Sequence, residues 1–276
     1  MKRILLPVHD RDDLSPVAAL AFTLAHEFGG EIEGIFPQFD SAVQIALGGD
    51  PSSAFAVKDL LEFAEKRAKE AAEDAESAFA KLTAQYPDVD AAFVLPGTGV
   101  AEMTARHAFS ADLTMIGDRA HFDGDYWSEV REGAVFLSGR PVLVAPSKPV
   151  PRNFGERVVI AWKEGSEAAR GVAAAMPFIE RAREVWLVTV GGGEEAHLSG
   201  RRMRKYLELH APQVMLELLQ RDGDSVGELL VRKAAEQEGT ILVMGAYSHW
   251  RWRERIFGGV TESMLREAEV PVLMAH

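Results

Sequence analysis

The residues best suited to chemistry lie in a glycine-containing loop near the end of the sequence. An apolar run, residues 241–244, leads into Gly245, and a polar, cationic stretch follows before Gly258 and Gly259 begin a predicted helix. Glycines beside a helix N-terminus let backbone N–H groups approach an anion, and the helix dipole favours its negative charge. The spacing therefore predicts a phosphate or nucleotide pocket, to which Ser248 offers a hydroxyl group.

The stretch between these glycines interleaves aromatic and basic residues, namely His249, Trp250, Arg251, Trp252, Arg253 and Arg255. The arginines, Arg251 among them, would neutralise the phosphates of a bound nucleotide. The alternative is a solvent-exposed loop whose tryptophans pack on the other half of the chain. The glycines have two readings as well, because a tight strand exit and close helix packing also require glycine.

The composition excludes several functional classes. The chain has 276 residues, which is enough for two domains of ordinary size. It has no cysteine, so disulfides, thiol catalysis and cysteine-zinc sites are ruled out. The net charge of −12 argues against broad nucleic-acid binding. No apolar run approaches the roughly 18 residues that cross a bilayer, so we expect no membrane segment.

No catalytic arrangement stands out in the sequence. There is no nucleophile at a recognisable spacing from a histidine, no Gly-x-Ser-x-Gly motif and no Walker lysine. The acidic residues after His9 (Asp10, Asp12 and Asp13) are typical of a solvated turn rather than a metal site. We therefore predict no enzyme activity, no catalytic residue and no metal centre.

The two halves of the chain repeat one pattern of apolar strands. Residues 3–8 match residues 157–162, and residues 112–117 match residues 240–245. A repeat of this length indicates that one structural unit occurs twice.

The segment between the halves has the composition of a linker. Residues 146–156 contain three prolines, which favour an extended chain over packed structure. We predict two domains, residues 1–146 and residues 157–276, joined by a linker at residues 147–156.

Within each half, short apolar runs alternate with helical patterns. Predicted strands cover 3–8, 31–36, 90–95, 112–117 and 141–145, then 157–162, 184–190, 213–219, 240–245 and 271–275. Predicted helices cover 15–28, 57–85, 100–110 and 129–138, then 166–180, 196–210, 225–238 and 258–268. Near-continuous apolar strands separated by helices indicate a parallel sheet covered on both faces. The predicted fold class is α/β, with two tandem doubly wound domains that each carry a five-stranded parallel sheet.

This organisation resembles the universal stress protein family, in a tandem form with two such domains. The residues that carry the resemblance are Val243-Met244-Gly245, the pair Gly258-Gly259 and the closing Val270-Pro271-Val272-Leu273. The family's nucleotide motif reads glycine, two residues, glycine, nine residues, glycine, and then serine or threonine. The present sequence keeps that spacing, with Ser248 at the second glycine position and Gly259 at the final hydroxyl position.

Two further departures from the family pattern concern charge. Members that bind ATP carry an aspartate after the first strand, and the matching positions here are His9 and Lys163. In the first half, Ser128 and Glu129 stand where the glycine pair would be, and a carboxylate at that point would repel phosphate. The resemblance therefore predicts that the site of the first half is lost.

The resemblance implies an adenine-nucleotide alpha-hydrolase-like fold and a cytoplasmic stress-response protein whose second half binds ATP, with magnesium. The nucleotide-binding residues that it implies are Lys163, Gly245, Ser248, His249, Arg251, Gly258, Gly259 and Val260. In doubly wound sheets, ligands bind beyond the carboxyl ends of the strands where the winding reverses, so Lys163 and Gly245 should meet there.

Two questions stay open from the sequence. The two halves would form an internal pseudo-dimer, and whether two chains also associate as a homodimer is undecided. The alternative function is a stress-response scaffold or interaction protein that has lost nucleotide binding. Its partner surface would include the segment 37–56, whose first part is rich in apolar residues.

Overall fold

The structure is a computed structural model that describes residues 1–9, 15–39, 54–118, 125–151, 153–221, 223–236, 239–246 and 269–276. The strands are β1 (Arg3–Pro7), β2 (Glu31–Ile35), β3 (Asp90–Val94), β4 (Leu113–Gly117), β5 (Val142–Ala145), β6 (Arg157–Ala161), β7 (Glu184–Val190), β8 (Val214–Leu219), β9 (Thr240–Gly245) and β10 (Val272–Ala275). The helices are α1 (Ser15–Phe28), α2 (Ala54–Thr83), α3 (Val100–Ala108), α4 (Asp125–Arg131), α5 (Ser166–Ile179), α6 (Glu194–Leu207) and α7 (Val226–Ala235).

The predicted α/β class is confirmed, and every predicted strand is present within one residue at each end. The strands are near-continuous apolar runs, as expected for a sheet covered on both faces. In β9, for example, Ile241, Leu242 and Val243 are all fully buried.

The prediction of two five-stranded sheets was wrong, because all ten strands belong to one sheet. The sheet is mostly parallel, but β5 and β10 pair in the antiparallel direction, with Leu143 opposite Leu273. Each of these strands closes its half of the sequence. Their pairing joins residues about 130 positions apart, which local sequence patterns do not reveal.

The chain divides into two compact units. The first consists of residues 1–114 with 123–138, and the second of residues 115–122 with 139–276. The first unit contains β3-β2-β1 in that order, and the second contains β5-β10-β9-β6-β7-β8. Strand β4 is divided between them, with residues 113–114 in the first unit and 115–117 in the second. The domain boundaries and linker expected from the sequence stay a prediction.

The helix expected at residues 129–138 differs from the observed structure. Helix α4 begins four residues earlier, at Asp125, and passes into a π-helical segment at Glu132–Leu137. Gly133 lies so close to α3 that a Cβ there would be 2.2 Å from the carbonyl oxygen of Ala101. Each of the other described helices begins and ends within three residues of its predicted bounds. No described helix has the length and apolarity that crossing a bilayer requires.

Helix α7 begins with a reciprocal capping box. The hydroxyl of Ser225 accepts a hydrogen bond from the backbone N–H of Glu228, at 3.2 Å. The carboxylate of Glu228 accepts a hydrogen bond from the backbone N–H of Ser225, at 2.7 Å. These bonds satisfy two N–H groups that a bare helix end would leave without partners. They also hold the pKa of Glu228 below its usual value, chiefly through the backbone N–H of Ser225 and then through its hydroxyl.

We expect Ser225→Ala to lower the free energy of unfolding by about 1 kcal/mol, the usual cost of losing a serine cap. Urea denaturation measures this change, and Ser225→Thr should be close to the wild type because it keeps the hydroxyl. Because folding lowers the pKa of Glu228, its carboxylate stabilises the folded state at pH values above the pKa that it has in the unfolded chain. This stabilisation is lost as the pH falls through the pKa of the folded state. Because Ser225→Ala keeps the backbone N–H that chiefly lowers this pKa, the pH dependence is tested with Glu228→Gln, whose stability difference from the wild type should shrink below about pH 4. A pH-independent difference would contradict this account.

Candidate functional site

The candidate site lies where the winding of the second unit reverses. Strands β6 and β9 are parallel neighbours, with Ile160 opposite Val243. Beyond β6 the sheet continues with β7 and β8, whereas beyond β9 it continues with β10. Because the two strands run in the same direction, they end at the same edge. Lys163, just after β6, and Gly245, the last residue of β9, therefore lie at one edge of the sheet.

Close packing requires a glycine at position 245. A Cβ added there would lie 2.6 Å from the backbone of Glu167 and Ala168, which is closer than real contacts allow. Further along α5, a Cβ on Gly171 would lie 2.8 Å from the carbonyl oxygen of Met244. Helix α5 thus rests directly on the end of β9. The close packing that the sequence offered as an alternative reading of Gly245 is observed.

The first turn of α5 is occupied by a carboxylate of the chain itself. Glu167 accepts a hydrogen bond from the hydroxyl of Ser166, at 2.9 Å. The pKa of Glu167 is lowered mainly by the hydrogen bond from its own backbone N–H and then by Ser166, with smaller contributions from Arg170 and His276. Lys163 is exposed in the loop before this turn. A phosphate would be repelled at the start of α5, so an anion at this edge has to bind elsewhere along it.

His276 contacts the residue that follows β9, a contact that was not predicted from the sequence. The ring Nδ1 of His276 lies 3.1 Å from the carbonyl oxygen of Ala246. The backbone N–H of Ala246 donates to the carbonyl oxygen of Ala275, at 2.8 Å. Because a carbonyl oxygen only accepts, Nδ1 carries the proton in this contact. Nothing in the local pattern around His276 signals the contact, since its partner lies 30 residues away.

The remaining residues of the predicted nucleotide site lie outside the described residues. They are Ser248, His249, Arg251, Gly258, Gly259 and Val260, and the predicted helix at 258–268 lies there too. Their assignment to a nucleotide stays a prediction. Of the predicted site residues, the structure places Lys163 and Gly245 at a common edge.

In the first unit, aromatic side chains fill the space beyond β1. The ring of His9 lies 4.6 Å from that of Tyr126 and 6.0 Å from that of Phe36, measured between centroids. Tyr126 and Trp127 are almost completely buried, and the hydroxyl of Tyr126 donates to the carbonyl oxygen of Val8 at 2.7 Å. This position in the first unit corresponds to the edge that carries Lys163 in the second. The chain's own rings occupy it, which gives a physical reason to expect no nucleotide there.

Residues 156–276 match the sequence profile of the universal stress protein family. The structure is similar to a universal stress protein from Archaeoglobus fulgidus DSM 4304, with 21% identity and a TM-score of 0.67, covering 99% of this chain and 95% of that chain. It is also similar to a functionally unknown protein from Pseudomonas aeruginosa PAO1, with 13% identity and a TM-score of 0.56, covering 100% of this chain and 92% of that chain. No curated protein sequence matches this chain at a significant level.

These findings establish the class of the second half. Residues 156–276 form a universal stress protein domain, within an α/β fold whose sheet is mostly parallel. The profile match covers less than half of the chain, and the structural likeness at these identities concerns the fold alone. A second domain of the same family in the first half therefore belongs to the proposal below.

Proposed function

We propose that the second half of this chain is an adenine-nucleotide-binding module of a stress-response protein. One observation carries the proposal: Lys163 and Gly245 lie at the same edge of the sheet, where the winding of a universal stress protein domain reverses between β6 and β9. Doubly wound sheets bind ligands at this place, beyond the carboxyl ends of the strands. The proposed ligand is ATP, with magnesium.

The proposed contacts follow from the loop after β9. Phosphates and ribose would be held by Gly245, Ser248, Gly258, Gly259 and Val260, mainly through backbone N–H groups at the start of a helix. His249 and Arg251 would add positive charge to the phosphates. Lys163 would add a further cation in the position where ATP-binding family members carry an aspartate. Because Glu167 fills the first turn of α5, the phosphates are directed toward the loop after β9.

The proposal extends to the rest of the molecule. Residues 1–146 would be a second, degenerate universal stress domain whose site is filled by its own aromatic rings, and residues 147–156 would be the linker. The two halves would form an internal pseudo-dimer in a cytoplasmic protein that neither binds nucleic acid nor acts as an enzyme. Association of two chains as a homodimer would not be needed to complete the site.

Denaturing the purified full-length protein and chromatographing the released small molecules tests the proposal. We expect about one equivalent of ATP or ADP per chain, because only one half is proposed to bind. A sample without nucleotide, together with no thermal stabilisation by millimolar MgATP, would overturn the proposal. About two equivalents would show instead that the first half also binds.

The alternative is a stress-response scaffold or interaction protein without a nucleotide. The packing of Gly245 against α5 favours it, because that contact explains this glycine without any ligand. Segment 37–56 would then be a partner surface. The nucleotide-release measurement separates the two functions, since a scaffold would give an empty chromatogram and an unchanged melting temperature.

A further inference from the structure

A second feature of the second unit is a cavity of about 460 Å³ beyond the end of β6. This volume is typical of small-molecule sites, which measure about 300–1,000 Å³. Helix α5 contributes one wall through Ala169, and helix α6 contributes the other through Met203 and Tyr206. Trp162 also lines the cavity, held in place by its indole N–H, which donates to the hydroxyl of Ser199 at 2.9 Å. The cavity therefore has a mainly apolar and partly aromatic wall.

One ion pair supplies the charge of this cavity. Among its lining residues the charged ones are Glu164 and Arg202. Nη2 of Arg202 donates to both carboxylate oxygens of Glu164, at 2.9 and 3.0 Å. Among the described residues these are the hydrogen bonds that Arg202 makes, so the N–H groups on its Nε and Nη1 remain available. Each oxygen of Glu164 already accepts one of these bonds, whereas the remaining N–H groups of Arg202 are donors that a ligand carboxylate could use.

The surroundings of the cavity favour an anion as well. Helix α5, which begins at Ser166 in the cavity wall, does not contribute to this preference, because the carboxylate of Glu167 already occupies its first turn. Helix α6 carries four exposed basic residues, Arg201, Arg202, Arg204 and Lys205, in a chain whose net charge is −12. These side chains place positive charge on the helix that forms one wall of the cavity.

We propose that this cavity binds a small aromatic carboxylate. Its ring would lie against Trp162, Met203 and Tyr206, where flat rings and a thioether make favourable contacts. The carboxylate of the ligand would accept hydrogen bonds from Nε and Nη1 of Arg202, while Glu164 keeps its hydrogen bonds from Nη2. The cavity adjoins the proposed nucleotide site, because its lining residues Trp162 and Glu164 flank Lys163, but the inference rests on Trp162, Tyr206 and Arg202 and not on a bound nucleotide.

Titration calorimetry on the full-length protein, with indole-3-acetate and its neutral amide as paired probes, tests this inference. We expect the wild type to bind the acid more tightly than the amide. Arg202→Gln should weaken binding of the acid by about fivefold, as for an exposed ion pair, and leave binding of the amide unchanged. Glu164→Gln should strengthen binding of the acid, since it removes the competing carboxylate from Arg202.

Two matched variants complete the experiment. Arg201→Gln removes the same charge from the same helix outside the cavity, and should leave both affinities unchanged. Ala169→Leu places extra carbon atoms inside the cavity and should abolish binding of both probes, with circular dichroism reporting that the chain stays folded. The inference is overturned if the folded wild type binds neither probe, if acid and amide bind equally, or if Arg201→Gln acts like Arg202→Gln.

Discussion

Replacing Gly258 by glutamate is expected to weaken MgATP binding at least about a hundredfold while leaving the fold intact. The proposed site places the phosphates against the start of the helix predicted at residues 258–268, and like charges brought together in a binding site cost several kcal/mol. The added Cβ would also keep the ligand away from the backbone N–H groups. Titration calorimetry measures the loss, and circular dichroism checks the fold.

The matched control for this variant is Gly193→Glu. Gly193 precedes α6 in the same half, at a φ of −89° and with no atom within 4 Å of an added Cβ. Gly193→Glu introduces the same charge at the start of a different helix, so the affinity for MgATP should stay at the wild-type value. Retained affinity in Gly258→Glu would move the nucleotide site elsewhere. Equal losses in both variants would show that the effect comes from net charge.

The second large effect is expected at Gly245. Gly245→Ala should lower the free energy of unfolding by about 3 kcal/mol, at the upper end of the usual cost of overpacking. The added methyl group would lie 2.6 Å from the backbone of Glu167 and Ala168, so α5 has to shift as a unit. Backbone cannot rotate out of the way as a flexible side chain can. Urea denaturation of the two proteins measures the difference.

Gly193→Ala provides the comparison here too, because its added methyl group meets open space. It should cost no more than about 1 kcal/mol, the difference between glycine and alanine at an N-cap. Wild-type stability in Gly245→Ala would contradict the packing explanation of this glycine. A folded Gly245→Ala variant that loses only nucleotide affinity would favour the phosphate role instead.

Much of the fold could be predicted from residue order because the strands carry a local signal. The run 240–245 is apolar at successive positions, which is the pattern of a strand buried on both faces, and it forms β9 with the same bounds. The helix predicted at residues 166–180 was located equally well by its helical periodicity, since it begins at Ser166 and ends at Ile179, although its N-cap is Gly165 and not a serine. The prediction of separate sheets failed at β5 and β10, because their antiparallel pairing joins strands that are far apart in the sequence.

The candidate site was harder to predict because its contacts join distant residues. Lys163 and Gly245 were expected at one edge, since parallel neighbours end on the same side of a sheet. The contact between His276 and Ala246 and the ion pair of Arg202 with Glu164 had no comparable signal. Each depends on the position at which a helix or strand comes to rest, rather than on the residues beside it.

The sequence alone determined the alternation of strands and helices, the absence of thiol chemistry and the spacing of the glycines, because each depends on residue type and local periodicity. Tertiary structure alone decided that Gly245 lies beneath α5 and that Tyr126 fills the space beside His9, more than 110 residues earlier in the chain. The physical reason is that burial and close contact depend on packing in three dimensions. The same glycine or ring can line a site or fill it, and only the neighbours that folding brings to it determine which.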